Sequence, residues 1–222
     1  MGTLYLVRHG QASFGAADYD HLSELGARQC HALGQYFAAR GIIFEGVLRG
    51  TLRRHAQSLA ALTEGFGTLP AALEWPGLNE YDSEAVIRTV HSGPLAAPDS
   101  PEVYRAHFRL LRLGLAAWMA AEVAPVGMPS YTQFVAGINA ALDHVRSQHS
   151  GNVLLVSSGG PISTAVGQVL GTSARTTIEL NLRIRNSAIT EFAFTPKRHM
   201  LVSYNHVPHL DVAGREDWTS YT

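Results

Sequence analysis

One cysteine, Cys30, is all this chain carries, so no disulfide can form within it. Charge of one sign is missing as well. The 17 basic and 18 acidic residues nearly cancel to a formal net charge of −1, which leaves no global field to draw in nucleic acid or an anionic membrane. Any pull on an anionic ligand must therefore be local. No basic segment followed by a long apolar run opens the chain, and Met1-Gly2 lacks the later Ser or Thr of a myristoylation signal. The most apolar helical stretch, 110–121, is broken by Arg112 and is too short to span a bilayer. A cytoplasmic protein with no membrane or nucleic-acid partner is expected. Metal-ligand spacing is also lacking: His206 and His209 are about one helical turn apart, but no second pair in a convincing register joins them, so neither metal nor cofactor is expected.

What is present suits one α/β domain. The 222 residues are 46% hydrophobic, enough to bury a core, and no linker-like stretch divides them. Residues 4–7 are an apolar run stopped by Arg8-His9-Gly10, which reads as a buried strand ending in a turn. Helical spacing follows from Leu22-Ser23-Glu24 to Arg40-Gly41, then a strand over 44–48 and a helix over 52–62 with Arg53 and Arg54 in its first turn. From 68 to 101 the chain reads as loop with short elements, and helical patterns occupy about 102–123 and 131–148. Arg105, Arg109 and Arg112 fall on one helical spacing, as either a solvated face or the lining of a cap. A third strand over 152–156 runs into Ser157-Ser158-Gly159-Gly160-Pro161, with Pro161 expected at the first position of a helix whose free N–H groups suit an anion. Antiparallel strands over 188–194 and 199–204 complete the pattern.

Arg8 and His9 come to the carboxyl edge of the sheet, where open α/β folds bind ligands. A guanidinium that holds phosphate oxygens beside an imidazole that supplies electrons suits attack on phosphorus. Ser158 reads equally as a helix cap or a phosphate contact. A serine hydrolase would want a glycine where Val156 stands.

In order, Leu6-Val7-Arg8-His9-Gly10, Leu22-Ser23-Glu24-Leu25-Gly26, Leu52 to Ser58, Leu78-Asn79-Glu80, Val156 to Gly160 and Asn205 to Leu210 resemble the histidine phosphatase superfamily, also called phosphoglycerate mutase-like. The resemblance implies a three-layer α/β/α sandwich with a mostly parallel sheet, built as a single domain over 1–222 with a mainly helical cap at about 68–130. It implies His9 as the nucleophile that becomes phosphohistidine, Arg8 and Arg54 as the phosphate clamp, and Glu80 as the acid that protonates the leaving oxygen. Arg53 competes with Arg54, and Asp82 and Glu84 compete with Glu80.

Two departures from the family pattern stand out. Ser158 takes the place of a second catalytic histidine, and exchanging a charged donor for a neutral one costs on the order of 1–3 kcal/mol. Ala12 and Gly15 replace polar residues, leaving Gln11 and Ser13 beside the site. Gln11, Ser13, Ser158, Gly159 and His209 are expected to join the two arginines around the substrate, with His209 offsetting the missing ring. The reaction implied is phosphomonoester hydrolysis on a small phosphorylated substrate, possible at reduced rate. A catalytically silent binder of phosphate and a phosphoglycerate-type mutase are the alternatives.

Overall fold

The computed structural model describes residues 1–13, 20–94 and 100–221. Its elements run β1 (Gly2–Arg8), α1 (Glu24–Ala39), β2 (Phe44–Arg49), α2 (Arg53–Phe66), β3 (Ala72–Glu74), α3 (Ser83–Arg88), α4 (Pro101–Met119), α5 (Tyr131–Gln148), β4 (Asn152–Ser157), α6 (Gly159–Leu170), α7 (Ala174–Asn181), β5 (Ile189–Thr195) and β6 (Arg198–His206). Short 3-10 turns lie at Pro76–Leu78 and Glu216–Trp218.

Successive residues of a strand face opposite sides of a sheet, and in the central strands here both sides are apolar. Leu4 and Leu6 of β1, with Val153 and Leu155 of β4, join one buried cluster. Val7, Leu154 and Val156 join another. Helices cover each cluster. Cys30, Leu33 and Phe37 of α1 and Leu62 of α2 seal one face, while Ile138 and Leu142 of α5 and Ile162 and Val166 of α6 seal the other. Burying a side chain such as the fully covered Phe37 contributes about 1.5–3 kcal/mol. The result is a three-layer α/β/α sandwich.

Among the described residues six strands form one sheet in the order β3-β2-β4-β1-β5-β6. Pairings from β3 through β2 and β4 to β1 are parallel, and β5 and β6 add antiparallel edges. The sheet is therefore mostly parallel. Neighbours β1 and β4 send their following helices, α1 and α6, to opposite faces, and this reversal opens a crevice beyond their carboxyl ends. Arg8 and Ser157 are paired across that crevice.

Local boundaries depart from the sequence reading in five places, one of them α4, which stops at Met119 rather than near 123. Helix α6 begins at Gly159, so Pro161 is its third residue rather than its first, a position where a missing N–H still costs no helical bond. Helix α2 continues to Phe66 rather than ending at 62. Strand β3 and helix α7 were not expected; β3 has three residues, too few to show a period. Among the described residues no helix is long and apolar enough to cross a membrane.

Candidate active site

The turn after β1 is fixed by main-chain bonds on both sides. The His9 N–H donates to the Ser157 carbonyl at 2.8 Å, and the His9 carbonyl accepts from the Ser187 N–H at 3.1 Å. Gly10 then passes so close to α1 that a Cβ there would lie 2.3 Å from the Gly26 carbonyl oxygen. Its N–H donates to Ser58 Oγ of α2 at 3.1 Å. Only glycine fits this backbone-to-backbone approach.

The His9 ring is buried, with Nδ1 2.7 Å from the Gly10 carbonyl oxygen. A carbonyl only accepts, so Nδ1 carries the proton and Nε2 keeps its lone pair. Nε2 accepts from Arg54 Nε at 3.3 Å. Burial first, then the guanidiniums of Arg54 and Arg8 and the ring of His55, hold the His9 pKa well below the usual histidine range. His9 is a neutral, oriented imidazole at ordinary pH.

Arg54 is the buried member of the Arg53-Arg54 pair, and Arg53 faces solvent. Leu52, at the cap position of α2, supplies no side-chain acceptor. Asp20 takes over that role: its carboxylate accepts from the Arg53 N–H at 2.8 Å and the Arg54 N–H at 3.3 Å, and pairs with Arg54 Nη1 at 2.8 Å. One acid both caps the helix and fixes the guanidinium. Arg8 is anchored from the other side, Nη1 donating to the Ile184 and Tyr221 carbonyls at 2.5 and 3.0 Å. The segment carrying Tyr221 is itself clasped, with Trp218 beneath the guanidiniums of Arg28 and Arg215, its carbonyl held by Gln29 and the Ser220 carbonyl by the Asn186 N–H.

Glu80 reaches the site on a loop secured at both neighbouring strand ends. Ser157 Oγ donates to the Leu78 carbonyl at 2.6 Å, and Asn79 Oδ1 accepts from the Thr51 N–H at 2.7 Å. The Glu80 carboxylate accepts from the Gly160 N–H at the start of α6, at 3.1 and 3.2 Å. Burial raises its pKa and outweighs the lowering by that N–H and by Arg54 and Arg8. Asp82 instead caps α3, and Glu84 is exposed beside Arg88. Glu80 is thus the acid of this loop that lines the site's cavity with its carboxyl on the start of α6 and its pKa raised.

Arg8, Arg54 and Glu80 line a cavity of about 330 Å³, together with Leu52, Tyr81, His107, Phe108 and Leu182. His9 is not itself among the lining residues; its ring meets one of them, Arg54, at 3.3 Å. Such a lining, two guanidiniums and a carboxyl among apolar side chains, suits a small anion carried on a less polar body.

Other expected site residues are not brought to the cavity wall. Gln11 binds the start of α1, its Oε1 accepting from Ser23 Oγ at 2.9 Å and its N–H donating to Gln29 Oε1 at 2.9 Å. Ser13 is held by its N–H on the His21 carbonyl at 2.8 Å. Gly15 lies outside the described residues. Gly159, the first residue of α6, is buried. His209 is buried 2.8 Å from Ser187 Oγ, so it braces the residue that binds the His9 carbonyl and does not reach the cavity. Ser158 is fully buried, makes no side-chain cap bond to α6, and sits 2.7 Å from His55 Nε2. Asp20 and His55 were missed by the sequence reading; adjacency to Arg54 was the available signal for His55. Among the described residues no group of three or more His, Cys, Asp or Glu side chains could hold a metal ion.

A family model for the histidine phosphatase superfamily (branch 1) matches residues 4–207. No curated protein matches the chain by sequence. Among solved structures, phosphoserine phosphatase from Entamoeba histolytica, in complex with 3-phosphoglyceric acid, superposes with a TM-score of 0.65 at 19% identity, covering 95% of this chain and 100% of that one. A mycobacterial glucosyl-3-phosphoglycerate phosphatase gives 0.64 at 20% identity over 92% and 99% of the two chains. Phosphoglycerate mutase from Bacillus anthracis gives 0.65 at 18% over 94% of each. At such identities the likeness is one of fold.

Proposed function

The chain belongs to the histidine phosphatase superfamily, and on that premise we propose that it hydrolyses a phosphomonoester through a phosphohistidine formed on His9. The observation that best supports this reading is the 3.3 Å contact of Arg54 Nε with the lone pair of His9 Nε2, a guanidinium suited to phosphate beside a nitrogen able to attack. An arriving phosphate takes over the Arg54 and Arg8 N–H groups and frees that lone pair. Nε2 then forms a bond to phosphorus as the bond from phosphorus to the ester oxygen breaks, and the Glu80 proton passes to the departing oxygen. Two guanidiniums balance the charge spread over the phosphoryl oxygens. Water next attacks the phosphohistidine, gives a proton back to the Glu80 carboxylate, and releases phosphate and neutral His9.

An acid placed like Glu80 contributes roughly 10²–10⁴ in rate, and its raised pKa suits the task. Residues 68–130 act as the mainly helical cap of a single domain, and α4 contributes His107, Phe108 and Leu111 to the wall against which the substrate's body rests. No metal or cofactor takes part in this scheme.

Rapid quenching of the protein with an aryl phosphate tests the proposal. An acid-labile, base-stable phosphoenzyme is expected, absent in His9→Ala, with turnover in Glu80→Gln reduced by about 10²–10⁴. No phosphoenzyme together with saturable phosphate binding would identify a silent binder. Interconversion of phosphoglycerates without net phosphate release would identify a mutase.

A further inference from the structure

We propose that Ser158 and His55 together take the place of a second catalytic histidine: His55 Nε2–H donates to Ser158 Oγ and so turns the hydroxyl hydrogen toward an oxygen of the phosphoryl group being transferred to His9. The inference rests on the reading of His9 as nucleophile. In it Ser158, which like His9 is not among the residues lining the cavity, meets the phosphoryl group only once that group reaches His9, and His55 is a positioning residue.

Four observations carry it. Ser158 stands at the cap position of α6, yet its hydroxyl makes no bond to the helix and is committed to His55 Nε2 at 2.7 Å. Both residues are fully buried, and the His55 ring lies 5.8 Å, centroid to centroid, from the ring of His9. His55 follows Arg54 in the first turn of α2, so one helix start delivers both side chains. The ring fits because residue 50 has no side chain: a Cβ on Gly50 would lie 2.2 Å from His55 Nδ1 and 2.7 Å from Asn79 Oδ1. An imidazole has in effect moved from the β4–α6 turn to α2, and small residues at 50 and 158 leave it room.

The direction of the bond follows from the ring's other nitrogen. Nδ1 of His55 is buried without a hydrogen-bond partner among the described residues. A buried N–H with no acceptor is costly, so the single proton of the neutral ring belongs on Nε2, where Ser158 Oγ receives it. Burial, with Arg54 and Arg49 adding to it, lowers the His55 pKa to about 3 and keeps the ring neutral. The Ser158 O–H is then free to donate. With no carboxylate at Nδ1 to orient it, His55 lacks the third member that a base serving a serine nucleophile has.

Ser158→Ala, His55→Asn, His55→Gln and the double variant Ser158→Ala/His55→Asn test the proposal by kcat, KM and phosphoenzyme formation on an aryl phosphate, with melting temperature recorded for each. Ser158→Ala and His55→Asn should each lower kcat by about tenfold to a hundredfold at nearly constant KM, because the bond matters only as charge moves. The double variant should be no slower than the slower single one. His55→Gln should recover most of the rate, its amide nitrogen reaching where Nε2 does. Wild-type kcat in Ser158→Ala, or losses that multiply in the double variant, would overturn the inference. If His55→Asn fails to fold, Ser158→Ala and His55→Gln decide. Wild-type protein that forms no phosphoenzyme overturns the His9 reading and this inference with it, whereas active wild type with an indifferent Ser158 overturns the inference alone.

Discussion

Asp20 offers the sharpest test of how this site is held. Its carboxylate caps α2 through two main-chain N–H groups and grips Arg54 Nη1, so replacing it with alanine removes a cap and a partly buried ion pair together. Loss of a helix cap costs about 1 kcal/mol. The ion pair, with Asp20 35% exposed and Arg54 7%, adds about 0.2–1 kcal/mol. For a chain of this size, 1–2 kcal/mol lowers the melting temperature by roughly 2–8 °C. Arg54 also loses the bond that aims it, and a small misplacement at a phosphoryl site is enough to lower kcat/KM by about tenfold. Asp20→Asn separates the two effects: the amide oxygen still caps the helix, so stability should return toward wild type, but without the charge kcat/KM should stay low. Thermal melts and aryl phosphate kinetics on both variants are the assay. An Asp20→Ala protein that melts and turns over like wild type would refute the argument.

Three further outcomes follow from the same geometry. Since His9 is neutral well into acid and Glu80 must be protonated to act, kcat should be highest on the acid side and fall as pH rises through the raised Glu80 pKa; a rate that climbs steadily between about pH 5 and 8 would contradict this, and Glu80→Gln should abolish the fall. His55 and His209, both with pKa values lowered to about 3, take up protons in the unfolded chain before they do so in the folded one, so stability should decline as pH drops below about 6.5, by up to about 1.4 kcal/mol per pH unit for each ring. Urea midpoints between about pH 6.5 and 5, above the range where most carboxylates titrate, measure this, and a flat midpoint would count against it. Gly10→Ala should destabilise by at least about 1–3 kcal/mol, because the new methyl meets the Gly26 carbonyl; a circular dichroism melt unchanged from wild type would show that the turn can yield.

The residues of the proposed catalytic frame are legible in the sequence because they sit where the chain changes texture. Val7 gives way to Arg8-His9-Gly10 at the end of a buried strand, and Arg54 follows a second strand in the same way. Sequence alone left Arg53 against Arg54 and Glu80 against its neighbours, which burial and bonding separate. What was hidden depends on contacts between distant residues. Asp20 reaches a helix that starts 33 positions later, and His55 meets Ser158 across 103. Gln11 and Ser13 read as ligands because they are polar and near His9 in sequence, yet Gln11 turns to α1 and Ser13 is tied to the His21 carbonyl. Helix α7, short and polar, carries too little periodic signal to separate from loop, though its Asn181 holds the Tyr81 hydroxyl and lines the cavity.

One of the two carbonyls that brace Arg8 lies 213 residues away. A polypeptide leaving the ribosome therefore exposes β1 long before that acceptor, so a nascent chain stalled before residue 221 lacks one of the two carbonyls that hold Arg8. Cutting the chain before Tyr221 takes away that acceptor and leaves Arg8 Nη1 with the Ile184 carbonyl.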